Sequence, residues 1–170
     1  MDLKTYIRDV PDFPKPGILF KDITPLLRAP EAFDYTMSAL AEPFRDKGIT
    51  RVAAIESRGF IFGSCVASKL GAGFIPIRKP GKLPWTKRRN EYVLEYGKDA
   101  LEIHDDAIAE TDRVLIIDDL LATGGTSASA AVLIKKVGGI LLEAQFLIEL
   151  EFLRGREKLT PTPVVSFLNY

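Results

Sequence analysis

The sequence predicts an α/β protein whose mostly parallel, twisted sheet is flanked by helices, because the same order of elements occurs twice. In each case an uninterrupted apolar run is followed by a helical pattern and then by a second apolar run. The two units comprise 52–55, 60–70 and 74–77, and then 114–117, 126–137 and 140–147. Apolar runs without alternation are typical of parallel strands buried on both faces. Each unit is therefore a strand–helix–strand crossover, and ligands of such sheets bind beyond the carboxyl ends of the strands.

Length and composition limit the classes of protein to which the chain can belong. Its 170 residues and 46% hydrophobic content predict a single folded domain over residues 1–170. Lys plus Arg equals Asp plus Glu at 23 each, so a general affinity for nucleic acid is not expected. One cysteine and one histidine exclude an internal disulfide and argue against a structural zinc site. No stretch has the length of a signal-peptide core or a membrane span, so we expect a cytoplasmic protein without a membrane partner.

The segment before the first unit, residues 1–28, is predicted to be an N-terminal arm. Residues 2–10 have the spacing of a short amphipathic helix, which the prolines of 11–17 would end. Two interpretations of this arm remain open. It is either pinned to the core or a flap that places Phe20 over a flat ligand.

Two further elements complete the predicted fold. A helix is expected over 31–47, with Pro43 marking an early end or a kink. Residues 160–168 are expected to form a last strand at an edge of the sheet.

A basic segment lies between the two units. Residues 78–90 carry six basic side chains and little that could enter a core. They form either a solvated loop or a lid that brings positive charge to an anionic substrate. Trp85 in this segment suggests burial on closure or against a partner chain. Residues 91–96 alternate as a strand does and Gly97 favours a turn, which predicts a hairpin beside the site.

The strongest functional signal is the run 114–126. Asp118 and Asp119 follow its apolar strand directly, and the small residues of 122–126 lead into a helix. Glycines allow backbone N–H groups to approach an anion, and a helix start supplies unpaired donors and a positive dipole end. The two carboxylates can accept hydrogen bonds from the vicinal hydroxyls of a ribose. The run thus predicts a site for a phosphate next to a sugar, and it fits neither a nucleotide-triphosphate P-loop nor a dinucleotide-binding motif.

The run 114–126 resembles the 5-phosphoribosyl 1-pyrophosphate (PRPP) signature of the type I phosphoribosyltransferases. That signature alone does not distinguish the purine, pyrimidine and regulatory members of the superfamily. Other stretches are similar to the adenine phosphoribosyltransferase family. Among them, the stretch at 11–25 narrows the prediction of the substrate to adenine. They are a purine hood at 11–25, a pyrophosphate loop at 56–60, a flexible loop at 78–84 and 94–98, and a C-terminal segment at 153–159. The resemblance implies the type I phosphoribosyltransferase fold, with an N-terminal hood within 1–28 and a flexible lid hairpin over 78–97.

The resemblance also implies the reaction. Adenine and PRPP would give AMP and pyrophosphate in purine salvage, with Mg²⁺ as the cofactor. A hard cation such as Mg²⁺ would be held mainly by substrate oxygens and water, with no direct protein ligand. The family's dimers imply a homodimer, in which Arg78 contributes across the subunit interface.

The resemblance assigns roles to particular residues. The residues implied in binding PRPP and AMP are Arg58, Arg78, Lys79, Lys82, Tyr96, Asp118, Asp119, Ala122, Thr123, Gly124, Gly125 and Thr126. Those implied in binding adenine are Leu19, Phe20 and Lys21, with the Phe20 ring on the base and backbone groups at its edge. Glu95 is implied as the catalytic acid or base near the purine. Arg58 is implied as a catalytic residue that stabilises charge on the leaving pyrophosphate.

Two features depart from the family pattern, and two rival functions remain open. Lys21 stands where arginine is common, which matters if a guanidinium is needed for adenine, and the lid 84–90 is unusually basic. One rival is a sister enzyme that uses a 6-oxopurine, which requires a lysine side chain near the base. The other is a sensor that binds PRPP without turnover, for which we expect an added DNA-binding element or a basic face; neither is evident.

Overall fold

The computed structural model describes residues 1–94 and 97–170, and the chain folds into two units, Met1–Leu40 and Ala41–Tyr170. The first unit contains an antiparallel hairpin of β1 (Arg8–Pro11) and β2 (Leu19–Asp22), preceded by a 3₁₀ helix over Leu3–Tyr6. Helices α1 (Thr24–Leu27) and α2 (Pro30–Ala41) follow the hairpin.

Ion pairs join the two strands of this hairpin. Asp9 and Lys21 are direct cross-strand partners, and Lys21 Nζ lies 2.6 Å from Asp9 Oδ1. Arg8 and Asp22 are likewise opposite, with 2.6 Å between Nη2 and Oδ2. Opposite charges facing each other stabilise antiparallel pairing. The helix predicted over 2–10 is therefore wrong beyond Tyr6, because pairing with a distant strand outweighs the local helical spacing.

The second unit is built on a parallel sheet. Among the described residues this sheet has five strands in the order β4-β3-β7-β8-β9, all parallel. The strands are β3 (Arg51–Ile55), β4 (Gly73–Ile77), β7 (Arg113–Leu121), β8 (Ile140–Glu149) and β9 (Val164–Asn169). The α/β prediction is thereby confirmed, and the last strand does lie at an edge.

Helices cover both faces of this sheet. Helix α3 (Gly59–Leu70) connects β3 to β4, and α4 (Gly125–Lys136) connects β7 to β8. Ala53 of β3 packs in the buried apolar cluster that contains Leu133 of α4. Ala54 points the opposite way, because an added Cβ on Gly63 of α3 would lie 2.5 Å from the Ala54 Cβ. Alternate strand residues therefore face different helices, which explains why the strands are apolar without interruption.

The remaining elements lie between and after these crossovers. Strands β5 (Lys87–Leu94) and β6 (Gly97–His104) pair antiparallel, so a hairpin is present as predicted, but its second strand extends beyond the predicted bounds of 78–97 and Gly97 begins that strand. Short 3₁₀ helices cover Glu42–Phe44, Glu151–Leu153 and Gly155–Leu159. The helix predicted over 31–47 ends at Ala41, which agrees with the early end expected at Pro43. No helix in the described ranges has the length and apolarity required to cross a bilayer.

Candidate active site

A cavity of about 300 Å³ lies where the connections of the sheet change direction. The crossover from β3 leads to β4 on one side, and the crossover from β7 leads to β8 on the other. Ligands of open α/β sheets bind at this switch point, beyond the carboxyl ends of the strands. The residues that line the cavity are Ile55, Glu56, Ser57, Arg58, Asp118, Asp119, Leu120, Ala122, Thr123, Gly124, Thr126 and Ser127.

Two adjacent carboxylates form the floor of the cavity. Asp118 and Asp119 are both buried, and they belong to β7, which continues through them to Leu121 instead of ending before them as predicted. Asp118 Oδ1 accepts the backbone N–H of Asp119 at 2.9 Å. An added Cβ on Gly59 would lie 2.5 Å from the same oxygen, so a larger residue in the first turn of α3 would displace the Asp118 carboxylate.

The electrostatics of this pair depend on Arg58. Burial raises the pKa of Asp118 well above its usual range, and the neighbouring Asp119 carboxylate raises it further. Burial also raises the pKa of Asp119, although the Arg58 guanidinium opposes that shift. Arg58 Nε lies 2.7 Å from Asp119 Oδ2, and the two groups line the same cavity. The site therefore contains concentrated negative charge that a cationic or hydroxyl-rich ligand would stabilise.

The loop 122–126 has the backbone geometry of an anion site. Gly124 caps α4 with φ +76°, a conformation that L side chains rarely adopt, and it lines the cavity. Helix α4 begins at Gly125, so the unpaired N–H groups of its first turn lie next to the cavity.

A segment distant in the sequence packs against this loop. An added Cβ on Gly124 would lie 2.1 Å from the carbonyl oxygen of Gly155. Conversely, an added Cβ on Gly155 would lie 2.1 Å from the carbonyl oxygen of Ala122. The two backbones are thus in direct contact, which fixes the loop. The 153–159 motif contains no local signal that identifies Gly155 as the support of this loop.

The basic residues predicted to contact pyrophosphate are paired with carboxylates. Arg78 Nε lies 2.8 Å from Glu56 Oε2, and Lys82 Nζ lies 3.1 Å from Glu56 Oε1. Glu56 Oε1 also accepts the backbone N–H of Lys79 at 2.9 Å. Burial raises the pKa of Glu56, but these hydrogen bonds outweigh it and lower the pKa overall. The Lys79 ammonium pairs with Asp99 of β6.

Glu56 thus connects the predicted pyrophosphate loop to the start of the predicted lid. Its own carboxylate holds two cations in place next to a cavity that Glu56 itself lines. We assigned it no role from the sequence. Its position after β3, in the motif 56–60, was the only signal that could have identified it.

The predicted site residues fall into three groups. The cavity brings together Arg58, Asp118, Asp119, Ala122, Thr123, Gly124 and Thr126, with Gly125 adjoining as the first residue of α4. Arg78, Lys79 and Lys82 lie in the segment after β4 and take the partners given above. Leu19, Phe20 and Lys21 all lie on β2 of the first unit, where the Phe20 ring meets Phe13 edge-on with 5.1 Å between centroids. Glu95 and Tyr96 lie outside the described residues.

A parallel sheet covered on both faces, with an acidic pair and an anion loop at its switch point, is the arrangement expected of a protein that binds a sugar phosphate. The family model for the phosphoribosyl transferase domain matches residues 22–150. The chain is 57% identical to the adenine phosphoribosyltransferase of Gloeobacter violaceus, and the alignment covers 100% of both chains. The chain belongs to the adenine phosphoribosyltransferase family.

Solved structures agree with this assignment. The adenine phosphoribosyltransferase of Thermoanaerobacter pseudethanolicus superposes with a TM-score of 0.96 at 50% identity, over 99% of this chain and 98% of that one. The Saccharomyces cerevisiae enzyme superposes with a TM-score of 0.92 at 43% identity, over 97% of this chain and 96% of that one. The latter structure contains adenine and an imino-altritol bisphosphate.

Proposed function

We propose that this protein transfers the phosphoribosyl group of PRPP to adenine, which gives AMP and pyrophosphate in purine salvage. The observation that carries the proposal is the single cavity wall shared by Asp118, Asp119 and the 122–126 loop. A ribose 5-phosphate moiety needs hydroxyl acceptors and an anion site at adjacent positions, and this wall supplies both.

The ribose and its phosphate would occupy this wall. The first-turn N–H groups of α4 and the Thr126 hydroxyl would bind the 5′-phosphate. Asp118 and Asp119 would accept hydrogen bonds from the two ring hydroxyls. When the bond to pyrophosphate breaks, positive charge develops on the ribose, and the two buried carboxylates would stabilise it.

The leaving pyrophosphate requires cations. Arg58 lines the cavity and would bind it with a forked contact, with Lys79, Arg78 and Lys82 supplying further charge. Arg58, Arg78 and Lys82 each pair with a carboxylate in the ligand-free protein. Pyrophosphate oxygens would replace those carboxylates as acceptors.

Adenine would be bound by the first unit. The Phe20 ring would cover the base, and backbone groups of Leu19 and Lys21 would contact its edge. The ammonium of Lys21 pairs with Asp9, so the lysine fulfils a structural role in the hairpin without a guanidinium. Glu95 is proposed as the acid or base near the purine, with Tyr96 beside it.

Mg²⁺ fits the donors of this cavity. Carboxylate and phosphate oxygens are the hard ligands it prefers, and it retains water readily. The PRPP oxygens and water would form its coordination, with no direct protein ligand, and the carboxylates of Asp118 and Asp119 would contact it only through that water. The bound ion would neutralise charge on the pyrophosphate.

We also propose that the protein is a cytoplasmic homodimer. Trp85 is 65% exposed and Phe152 is 73% exposed, and contact with a second copy of the chain would remove this apolar surface from water. Light scattering coupled to size-exclusion chromatography would measure the mass, and a monomer at micromolar concentration would contradict the dimer.

The reaction is tested by supplying PRPP, Mg²⁺ and one purine base at a time and separating the products by chromatography. AMP from adenine alone is the expected result. A nucleotide from hypoxanthine, guanine or xanthine would identify a 6-oxopurine enzyme instead. Binding of PRPP without any product would identify a sensor.

Asp118→Asn should weaken PRPP binding and stabilise the ligand-free protein. The substitution keeps the acceptor for the Asp119 N–H but removes a buried charge, so we expect the KM for PRPP to rise about 10-fold. Because the folded-state pKa of Asp118 is raised, its ionisation costs stability above the unfolded-state pKa, and this cost disappears at acid pH. Tm near pH 8 should therefore rise by about 2–4 °C.

Steady-state kinetics and thermal melts at pH 8 and pH 4 measure both effects. The matched control is Asp106→Asn, which removes an exposed carboxylate and should change neither KM nor Tm. An unchanged KM in Asp118→Asn would contradict the ribose role. A lower Tm at pH 8 would contradict the electrostatic cost of the buried pair.

A further inference from the structure

One phenol connects the phosphate loop to the hairpin. The Tyr92 hydroxyl lies 3.2 Å from Thr126 Oγ1, at the start of α4, and 3.1 Å from Asp99 Oδ2, on β6. Lys79 Nζ approaches the same hydroxyl at 3.3 Å and pairs with Asp99. Tyr92 and Asp99 are direct partners in the register of the hairpin, so this meeting point is built by strand pairing.

The number of protons available limits which hydrogen bonds the Tyr92 hydroxyl can make. A phenol donates one hydrogen bond, a carboxylate only accepts, and an ammonium only donates. With no anion in the loop, Tyr92 donates to Asp99 and accepts from Thr126. A phosphate is also an acceptor, so it takes the Thr126 proton. The Thr126 oxygen then becomes an acceptor, which the Tyr92 proton can satisfy only by turning away from Asp99.

A second set of contacts keeps the strand aligned with the helix. Asn90 lies two residues before Tyr92 on the same face of β5, and its Nδ2 donates to Ser129 Oγ at 3.0 Å. Lys136 Nζ donates to Asn90 Oδ1 at 2.8 Å. The strand is thus bound along α4, which keeps the Tyr92 hydroxyl within reach of Thr126.

We propose that Tyr92 is a positioning residue whose single proton is shared between Asp99 and Thr126, so that Asp99 competes for it with a Thr126 hydroxyl that is bound to a 5′-phosphate. Occupation of the phosphate loop then leaves Asp99 with the Lys79 ammonium and the backbone N–H of Ala100 as its donors. This couples the 5′-phosphate end of the site to the β5–β6 hairpin, two register pairs from the end at which Leu94 pairs with Gly97. The inference rests on the proposed function, since it assumes that the loop binds a 5′-phosphate.

The test is the affinity of the full chain for ribose 5-phosphate, measured by calorimetry. Tyr92→Phe removes the donor to Thr126 and should weaken binding about 2- to 10-fold. Asp99→Asn replaces the charged acceptor with a weaker, neutral one and should tighten binding by up to the same factor. A merely structural role for Asp99 predicts the opposite, because breaking a half-buried network would loosen the site. In the double variant, Asp99→Asn should have no effect, since the shared proton is gone.

Glu91→Gln is the matched control, because it makes the same carboxylate-to-amide change at an exposed position on the other face of the same strand, where Glu91 pairs with Arg89, without touching the hydroxyl network. It should leave the affinity unchanged. Should Asp99→Asn fail to fold, Asp99→Ala removes the competitor and carries the same expectation. Weaker or unchanged binding in the Asp99 variant, or an equal change with and without the Tyr92 hydroxyl, overturns the proposal. Failure of the unsubstituted protein to bind ribose 5-phosphate would instead overturn the function on which it rests.

Discussion

Gly124→Ala should abolish most activity and destabilise the fold by about 2–5 kcal/mol. An alanine at φ +76° costs about 1–2 kcal/mol, and its Cβ would lie 2.1 Å from the Gly155 carbonyl oxygen, which adds about 1–3 kcal/mol of overpacking. The loop can relieve this contact only by moving away from the segment that supports it. A displacement of about 1 Å in a substrate-binding group can lower the rate 10²-fold, so we expect at least that loss in kcat/KM for PRPP.

Gly71→Ala separates the conformational strain of a positive φ from the close contact with Gly155. Gly71 caps α3 with φ +65°, but an added Cβ there meets nothing within 4 Å. It should cost only the conformational strain, about 1–2 kcal/mol, and leave kcat/KM unchanged. Urea unfolding and initial rates measure the comparison. Equal losses in the two variants would show that the contact with Gly155 contributes nothing.

Arg58→Ala should lower kcat about 10²- to 10³-fold, the loss typical of removing one group that stabilises developing charge. Arg58 is also the cation 2.7 Å from Asp119, so its removal leaves that carboxylate with less compensation. The Arg58 charge lowers the pKa of Asp119 against the effect of burial. Without it, the pKa should rise further, and Asp119 will be protonated at a higher pH than in the unsubstituted protein.

The pH dependence separates these two roles of Arg58. The acid limb of kcat/KM for PRPP should move to higher pH in Arg58→Ala, because ribose binding needs the ionised carboxylate. Arg58→Lys keeps the positive charge and loses the forked contact. It should restore the position of the acid limb while recovering only part of kcat. If the acid limb does not move in Arg58→Ala, the ion pair does not control the protonation of Asp119.

The parts of the fold that the sequence predicts well are those determined by neighbouring residues. The apolar run at 114–117 and the small residues at 122–126 are local patterns, and they predicted a strand, a turn and a helix within a few residues of the observed bounds. The same patterns placed Arg58, Asp118 and Asp119 at one edge of the sheet, where the cavity brings them together. Parallel topology is predictable here because it determines which strand ends meet.

What the sequence does not reveal are partners that are distant along the chain. Lys21 pairs with Asp9 across a hairpin, and nothing in the spacing of 2–10 indicates that a strand competes with the helix. The contact of Gly124 with Gly155 joins positions that no periodicity relates. Ion pairs such as Glu56 with Arg78 depend on side-chain reach in three dimensions, so they could be assigned only from the structure.

The contact between Gly124 and Gly155 has a consequence for synthesis of the protein. A nascent chain that has emerged only as far as β8 already contains every residue that lines the cavity, together with four strands of the parallel sheet. It lacks Gly155, against which the phosphate loop is packed. The residues that line the cavity are therefore synthesised before the segment that packs against the phosphate loop. The chain should therefore become able to bind an anion only late in translation, after most of the sheet has formed.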